Sequence, residues 1–446
     1  MEAVKLGGPD VDNISRAAQK TTLRSKVAVL LFPGLRAYLW QQKTEKEQIK
    51  RELWGINGVG YQAYRASVSE VKELGISEHL HPRRIRRSTI ESNASDLEVS
   101  SSYSSFSTAA QYAFAGMKAV FHAGEARITV LAFGSQDSTL LAWGDSNGTV
   151  CMATLQEPGQ LLHELHEHKG QVTDVDWSQD SSLLLSASED CHAALWNASL
   201  GNLVRTLRCN APVTCASFHQ VNQNLVMLGT AAGDIDIFNC STGIRLQRIP
   251  VQPGGGVNSP GLQALVCTNS SLFAADSRGC VHTFRWEINA RGPQKLKVLH
   301  KNPLPGGKQA EVASMSLAPY CAFTHGPCLL LSTSDSFLTV YRIQDSVGKL
   351  EVRARVQMPP AARKLRAAMC PMLQVDTPEY VTMGGEDTAV YIYDISGQHH
   401  KGAKVVNKLQ GHMAPVLDVA WSSNEMLLAS GDCDGVVIVW KRDSTV

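Results

Sequence analysis

The residues of this chain best suited to chemistry form two matched sets of histidine, serine, aspartate and tryptophan. The first set is His168, Ser186, Asp190 and Trp196, and the second is His412, Ser430, Asp434 and Trp440. Histidine, serine and aspartate are the residues of a hydrolase triad, in which the histidine takes the serine proton. An active site uses a single triad, however, whereas a set of residues that recurs at constant spacing indicates an internal repeat. We therefore interpret both sets as structural and predict no catalytic residue.

The repeat extends beyond these two sets. In both, the tryptophan follows the aspartate by 6 residues and the histidine by 28. Five weaker copies have a turn position followed 6 residues later by the end of an apolar strand: Asn147 with Ala153, Ala232 with Phe238, Arg278 with Phe284, Asp335 with Tyr341, and Asp387 with Tyr393. Successive turn positions are 42 to 57 residues apart, near the roughly 40 to 45 residues of a four-stranded propeller blade. Seven units fit the chain.

The elements that must position these residues are therefore strands. Segments such as residues 234–238, 388–393 and 436–440 are short, β-branched and aromatic, and turn residues precede each of them. We predict an all-β fold, a seven-bladed β-propeller over residues 111–446. Only 6 residues follow Trp440, so the last blade lacks an outer strand, and we expect residues 114–121 to supply it.

Residues 409–412, Leu-Gln-Gly-His, and Val439-Trp440 resemble the signature of the WD-repeat family of β-propellers. The resemblance implies that each His-Ser-Asp-Trp set is a buried, hydrogen-bonded tetrad. It also implies that the chain is a non-catalytic protein-interaction scaffold. Four further blocks, at residues 112–117, 238–243, 369–372 and 407–419, are similar to one branch of this family, whose members are regarded as nuclear scaffolds. The resemblance therefore predicts a role in a nuclear regulatory complex.

Residues 1–110 differ in character and are predicted to be an N-terminal extension. Residues 45–54 have the pattern of a short charged helix, and residues 92–108 form a serine-rich linker with few large apolar side chains. Between them, Arg83, Arg84, Arg86 and Arg87 form a basic cluster suited to the acidic groove of a nuclear import receptor. Phosphorylation of the neighbouring Ser88 or Thr89 would offset this positive charge. A solvated charge run is the alternative interpretation.

Composition limits the other function classes. The 446 residues carry a net charge of +1, which argues against direct nucleic-acid or membrane binding. The 11 cysteines are scattered without a CxxC pair, so we expect reduced thiols and no metal site. The sequence has no phosphate-binding loop and no HExxH pair, and we predict neither cofactor nor enzymatic activity.

Other proteins or peptides are the expected partners, and we expect them to dock on the propeller faces. The basic stretch at residues 358–366 is one candidate contact. A cytoplasmic adaptor and a ubiquitin-ligase substrate receptor are the alternatives to a nuclear scaffold. The second is disfavoured because Asn197 follows Trp196 and Lys441 follows Trp440, where many such receptors carry a WDxR motif. Localisation is expected in the nucleus and also in the cytoplasm.

Overall fold

The structure is a computed structural model. It describes residues 28–30, 113–157, 159–252, 259–268, 270–287, 295–305, 309–321, 326–344, 348–370, 380–395 and 404–442. These residues form seven antiparallel sheets. The predicted helix at residues 45–54, the basic cluster, Ser88 and Thr89 lie outside the described residues. No described helix is long and apolar enough to cross a membrane.

In chain order, β1 (Ala28–Leu30) and β2 (Phe114–His122) precede six four-stranded blades. Blade 1 contains β3 (Ile128–Phe133), β4 (Leu140–Asp145), β5 (Thr149–Thr154) and β6 (Gln160–His166). Blade 2 contains β7 (Val172–Trp177), β8 (Leu183–Ser188), β9 (His192–Asn197) and β10 (Leu203–Arg208). Blade 3 contains β11 (Val213–Phe218), β12 (Leu225–Thr230), β13 (Asp234–Asn239) and β14 (Arg245–Pro250).

The remaining blades follow the same order. Blade 4 contains β15 (Leu262–Cys267), β16 (Ser271–Asp276), β17 (Cys280–Glu287) and β18 (Lys295–Pro303). Blade 5 contains β19 (Val312–Cys321), β20 (Gly326–Thr333), β21 (Phe337–Gln344) and β22 (Lys349–Gln357). Blade 6 contains β23 (Ala367–Met369), β24 (Tyr380–Gly384), β25 (Ala389–Asp394) and β26 (Lys404–Gln410). Blade 7 begins with β27 (Val416–Trp421), β28 (Leu427–Asp432) and β29 (Val436–Arg442).

The first strand of each blade is its inner strand, and each inner strand contacts that of the next blade. The contacts run from β3 through β7, β11, β15, β19, β23 and β27, and β27 then contacts β3 again. The prediction of a seven-bladed propeller is confirmed. All seven predicted turn positions lie between the second and third strands of a blade.

The chain's two ends meet in blade 7. Strand β2 pairs antiparallel with β29, from Phe114 opposite Arg442 to His122 opposite Val436, as residues 114–121 were predicted to do. Strand β1 was not foreseen: it pairs with the other edge of β2 and gives blade 7 a fifth strand. Part of the N-terminal extension therefore belongs to the ring, where it covers the edge of β2.

One residue with positive φ follows each predicted turn position. Four of the seven are Gly148, Gly233, Gly279 and Gly435, and the other three are Cys191, Ser336 and Thr388. At Gly435 a side chain would also be blocked, because an added Cβ would lie 2.6 Å from the Gly124 carbonyl oxygen. The repeated turn holds the second and third strands of every blade in register.

The apolar core lies between neighbouring blades. One cluster joins Val150 and Met152 of β5 to Val175, Trp177 and Leu184 of blade 2. Another joins Phe121 of β2 to Trp143 of blade 1, with ring centroids 5.3 Å apart. Because each blade packs its faces against its neighbours, the inner strand edges are left to line a central channel.

Candidate functional site: the buried tetrads and the central channel

The first predicted tetrad is joined by hydrogen bonds inside blade 2. The indole Nε1 of Trp196 donates to Ser186 Oγ at 2.9 Å, and Ser186 Oγ lies 2.8 Å from His168 Nε2. His168 Nδ1 lies 3.2 Å from Asp190 Oδ2. Because indole only donates and carboxylate only accepts, the protons are ordered along the chain, with Nδ1–H of a neutral histidine facing Asp190. Burial lowers the pKa of His168, which favours the neutral form.

Asp190 is held as a carboxylate. Its partial burial raises its pKa, but hydrogen bonds outweigh that effect and leave the pKa below its usual value. The backbone N–H of Lys169 donates to Oδ2 at 2.9 Å, and that of His192 donates to Oδ1 at 3.0 Å. All four members are therefore occupied by structural hydrogen bonds.

The second tetrad corrects one predicted residue: its acidic member is Asp432, not Asp434. Trp440 Nε1 donates to Ser430 Oγ at 2.8 Å, and His412 Nε2 lies 2.7 Å from the same oxygen. His412 Nδ1 lies 2.9 Å from Asp432 Oδ2, and the two side chains are 0% and 1% exposed. The Asp434 side chain is exposed at the tip of the turn.

Strand position explains the correction. Asp432 and Ser188 are both the last residue of the second strand in their blades, opposite Val416 and Val172. Asp432 is long enough to reach His412 with one oxygen while the other accepts the backbone N–H groups of Asp434 and Val436, each at 2.9 Å. The Ser188 side chain is shorter, and in blade 2 it is Asp190 that forms the hydrogen bond with His168. The spacing of blade 2 therefore does not transfer to blade 7.

The turn-capping position also recurs elsewhere in the ring. Asp145 Oδ1 accepts the backbone N–H groups of Asn147 and Thr149, each at 2.8 Å. Asp276 Oδ1 accepts from Arg278 at 3.0 Å and Cys280 at 2.8 Å. An aspartate two residues before the turn position is thus the sequence signal that identifies Asp432.

Asp276 also belongs to a group whose side chains resemble metal ligands. Its side chain and those of Cys280 and His282 place possible ligand atoms within 4.8 Å of one another. However, Asp276 Oδ2 lies 2.9 Å from His282 Nε2, and Oδ1 is occupied by the turn. Burial raises the pKa of the Cys280 thiol to about 11, which disfavours the thiolate that a metal requires. Hydrogen bonds therefore account for both oxygens of Asp276 and for Nε2 of His282.

Replacing Ser186 with alanine should destabilise the propeller without altering any surface. The substitution leaves His168 Nε2 and Trp196 Nε1 buried without the hydroxyl that joins them, at a cost of about 1 to 3 kcal/mol. Urea unfolding followed by tryptophan fluorescence measures the change. Ser199→Ala, at an exposed position of the same blade, is the matched control, and an equal loss in both variants would contradict the role of the tetrad.

Arg366 crosses the central channel. It lies just before β23 of blade 6, yet its Nη2 donates to the Thr173 carbonyl of blade 2 at 2.8 Å, and its Nη1 lies 3.5 Å from Asp174 Oδ1. Its positive charge also acts on Asp418 of blade 7. The stretch at residues 358–366, predicted as a candidate partner contact, therefore directs its last arginine into the channel.

The two carboxylates near Arg366 also join neighbouring blades. Asp174 Oδ2 accepts the Ala216 N–H of blade 3 at 3.0 Å, and Asp418 Oδ2 accepts the Leu131 N–H of blade 1 at 2.8 Å. Burial raises the pKa of both, to about 6 for Asp418, and the charge of Arg366 partly offsets the rise. This network was not predicted, because its members are distant from one another in the chain.

Arg366 lines two cavities at opposite ends of the channel. The cavity where inner strands begin, here the strand-start mouth, has a volume of about 470 Å³ and is lined by residues that include Arg127, Arg363 and Lys364. The cavity where inner strands end, the strand-end mouth, has a volume of about 680 Å³ and is lined by residues that include Asp176 and Val221. The two ends thus differ in charge.

Asp176 is an acidic residue that lines the strand-end mouth beside Asp174. Its Oδ2 accepts the Phe218 N–H at 2.7 Å and its Oδ1 accepts the Trp177 N–H at 2.9 Å. Burial raises the pKa of Asp176 to about 7, the hydrogen bond from Phe218 opposes the rise, and the nearby Asp174 adds to it. Of the described residues that line this mouth, only Arg366 is a lysine or arginine.

Comparison with known proteins finds a family model that matches two of the seven repeats. The model described as "WD domain, G-beta repeat" matches residues 159–197 and 403–441, the segments that contain the two tetrads. The crystal structure of the Cps50 (Swd1) β-propeller domain of Myceliophteria thermophila superposes with a TM-score of 0.57 at 20% identity, over 73% of this chain and 99% of that one. This likeness supports the fold alone.

Two curated relatives match parts of the chain. Retinoblastoma-binding-like protein E of Dictyostelium discoideum is 22% identical over 296 residues, covering 63% of this chain and 54% of the relative. Eukaryotic translation initiation factor 3 subunit I of Danio rerio is 30% identical over 105 residues, covering 24% of this chain and 32% of the relative. The chain thus spans about half of one relative and a third of the other.

Proposed function

From a seven-bladed propeller that carries WD40 repeats, we propose that this protein is a non-catalytic interaction scaffold in a nuclear regulatory complex. The observation that supports a non-catalytic role is the use of both histidine–serine–aspartate sets within their blades. Each serine hydroxyl is buried between an indole and an imidazole, so no substrate reaches it. The remaining chemistry is that of surfaces that bind other proteins.

Two features support a nuclear location: a sequence resemblance and the basic cluster of the N-terminal extension. Residues 238–243 and 407–419 are similar to WD repeat-containing protein thirteen, which belongs to the branch regarded as nuclear scaffolds. The relatives agree with membership in an assembly, since one is named a retinoblastoma-binding-like protein and another a translation initiation factor subunit. The cluster Arg83, Arg84, Arg86 and Arg87 supplies a segment suited to an import receptor.

Proximity labelling in cells tests the scaffold proposal. A biotin ligase fused to the full chain should label a reproducible set of nuclear proteins that belong to one complex. A fusion to residues 110–446 separates partners of the ring from partners of the extension. Labelling confined to cytoplasmic proteins would favour an adaptor, and labelling of ubiquitin-ligase subunits would favour a substrate receptor; either result would overturn the nuclear proposal.

Replacing Arg83, Arg84, Arg86 and Arg87 with alanine should move the tagged protein from nucleus to cytoplasm, because an acidic import groove recognises clustered positive charge. The measurement is the nuclear fraction in fluorescence images. The matched control replaces Lys43, Lys46, Lys50 and Arg51, which removes the same charge from the same extension. Phosphomimetic Ser88→Asp and Thr89→Asp should shift the protein in the same direction to a smaller extent. An unchanged nuclear fraction in the arginine variant would contradict the import role.

A further inference from the structure

The exposed apolar side chains of the ring are concentrated in two neighbouring blades. Of ten exposed large hydrophobic residues in the described part of the chain, six belong to blades 2 and 3. We name them the blade 2–3 patch: Leu200, Leu203, Val204, Val221, Ile244 and Leu246. The three most exposed are Leu200 at 70%, Val221 at 66% and Ile244 at 61%. Scattered exposed leucines are ordinary, whereas a concentration of them marks an interaction site.

These three residues lie on one face of the ring. Leu200 and Ile244 occupy the turns between the third and fourth strands of blades 2 and 3, and Val221 follows the end of the inner strand β11. In an antiparallel blade whose strands alternate in direction, these two kinds of connection lie on the same face. It is the face where the inner strands end, and Val221 itself lines the strand-end mouth.

Hydrogen bonds connect the loops that carry the patch. Arg205 of blade 2 donates through Nη2 to the Ser241 carbonyl of the blade 3 turn at 2.8 Å. Within blade 3, the Cys240 N–H donates to the Asn224 carbonyl at 2.8 Å, and Ser241 Oγ donates to Asn224 Oδ1 at 2.5 Å. The turns and the loop that follows β11 are therefore held together as one surface, ready to bind without prior ordering.

The patch adjoins an acidic residue, Asp176, that forms no ion pair within the described part of the chain. Asp176 lines the same mouth as Val221, and its hydrogen-bond donors are the backbone N–H groups of Phe218 and Trp177 and the Ser217 side chain, all of them neutral. Among the described residues that line that mouth, the one lysine or arginine is Arg366, which is paired with Asp174. A cation that enters the mouth from solvent would therefore meet a buried carboxyl group, and its positive charge would favour the ionised form of Asp176.

We propose that the blade 2–3 patch and the strand-end mouth together bind an extended or helical segment of a partner protein, which places apolar side chains on Leu200, Val221 and Ile244 and inserts one lysine or arginine toward Asp176. A segment of this composition matches both the apolar surface and the charge of the mouth. The inference rests on the proposed scaffold role and specifies the surface and the partner chemistry that serve it.

A random 12-residue peptide library displayed on phage, selected against the immobilised full chain, supplies the probes for the test. Recovered peptides are synthesised with a fluorescent label, and their affinities for the full chain are measured by fluorescence polarisation. We expect peptides that combine apolar residues with a lysine or arginine. Leu200→Asp and Ile244→Asp should each weaken binding by at least about tenfold, since each introduces a carboxylate into the apolar contact. Both positions are exposed, so these variants retain the fold.

Asp176→Asn provides the second part of the test. It should weaken binding by at least about tenfold, because removing one charge of a buried pair makes the complex dissociate faster. Replacing the basic residue of the peptide with glutamine should weaken binding to the original chain to a similar extent. The same glutamine substitution in the peptide should have little further effect on binding to the Asp176→Asn variant, as a double-mutant cycle requires for two groups in contact. The matched control is Arg363→Ala combined with Lys364→Ala at the strand-start mouth, which should bind as before.

Several results would overturn the inference. One is recovery of no binding peptide, or of peptides that bind Leu200→Asp and Ile244→Asp unchanged. Another is loss of binding in the strand-start control, which would move the site to the other mouth while leaving the scaffold role intact. Tighter peptide binding after replacement of Arg83, Arg84, Arg86 and Arg87 would assign the site to the chain's own basic segment. A dimer that dissociates in Leu200→Asp, seen by light scattering, would assign it to a second copy. The scaffold proposal itself fails only on proximity labelling.

Discussion

An Asp432→Ala variant is expected to lower the free energy of unfolding by at least about 3 kcal/mol, because three buried donors lose their acceptor at about 1 to 3 kcal/mol each. The single carboxylate has two functions, because it faces His412 with one oxygen and caps the turn before β29 with the other. Its removal leaves the imidazole and two backbone N–H groups without their acceptor. Urea unfolding, followed by both tryptophan fluorescence and circular dichroism, measures the loss.

The matched control is Asp434→Ala, two residues further along the same turn. Its side chain is exposed, and interactions of exposed charges contribute at most about 1 kcal/mol. In blade 2, Ser188 accepts the Asp190 N–H of the turn, whereas Asp190 faces His168 and accepts the His192 N–H. Ser188→Ala should therefore cost less than Asp432→Ala. If Asp434→Ala proved the more damaging of the two turn variants, our assignment of the tetrad would be wrong.

Replacing Arg366 with methionine is expected to destabilise the ring by about 3 to 5 kcal/mol. The substitution keeps much of the side-chain volume but leaves Asp174 and Asp418 without the cation that offsets their burial. Arg363→Met, at a side chain that is 52% exposed, should change stability by no more than about 0.5 kcal/mol. Adding Asp418→Asn to Arg366→Met should recover part of the loss, since one uncompensated charge is removed. No recovery would contradict the electrostatic explanation.

The loss of stability caused by Arg366→Met should also depend on pH. The pKa of Asp418 in the folded chain is about 6, above its usual value of 3.8. Between these values the folded chain binds more protons than the unfolded chain, so this group makes stability fall as pH rises from about 4 to 6. Removing Arg366 raises the folded pKa further and extends the fall to higher pH. Arg366→Met should therefore be more destabilising at pH 8 than at pH 5 in the same urea experiment.

The fold could be predicted because its signal is local and repeated. Turn positions such as Asn147 and Asp387 fix where the second strand ends and the third begins, and both lie in that turn in the structure. The pairing of β2 with β29 followed from counting residues after Trp440. By contrast, β1 contributes only three residues, which is too few to show a periodic pattern in the sequence.

The sites were less predictable, for two physical reasons. Sequence spacing selects a position but does not show how far the side chain at that position extends. It could therefore not reveal that Asp432 is long enough to contact both the turn and His412. The channel network depends on proximity across the ring: Arg366 contacts Asp174, 192 residues away. Blade-to-blade distances of this kind depend on ring closure and leave no local pattern. The residues that distinguish this propeller's two mouths became visible only in three dimensions.

The pairing of β2 with β29 also sets an order of events during synthesis. The ribosome makes β2 before any blade and β29 after all the others, with about 300 residues between them, or roughly 15 to 60 s at ordinary elongation rates. Throughout that interval β2 has one edge without its final neighbour, and such an edge can pair with other nascent chains. Pairing with β1, which emerges first, would cover the opposite edge of β2. Only one edge of β2 would then remain for chaperones to cover until β29 is made.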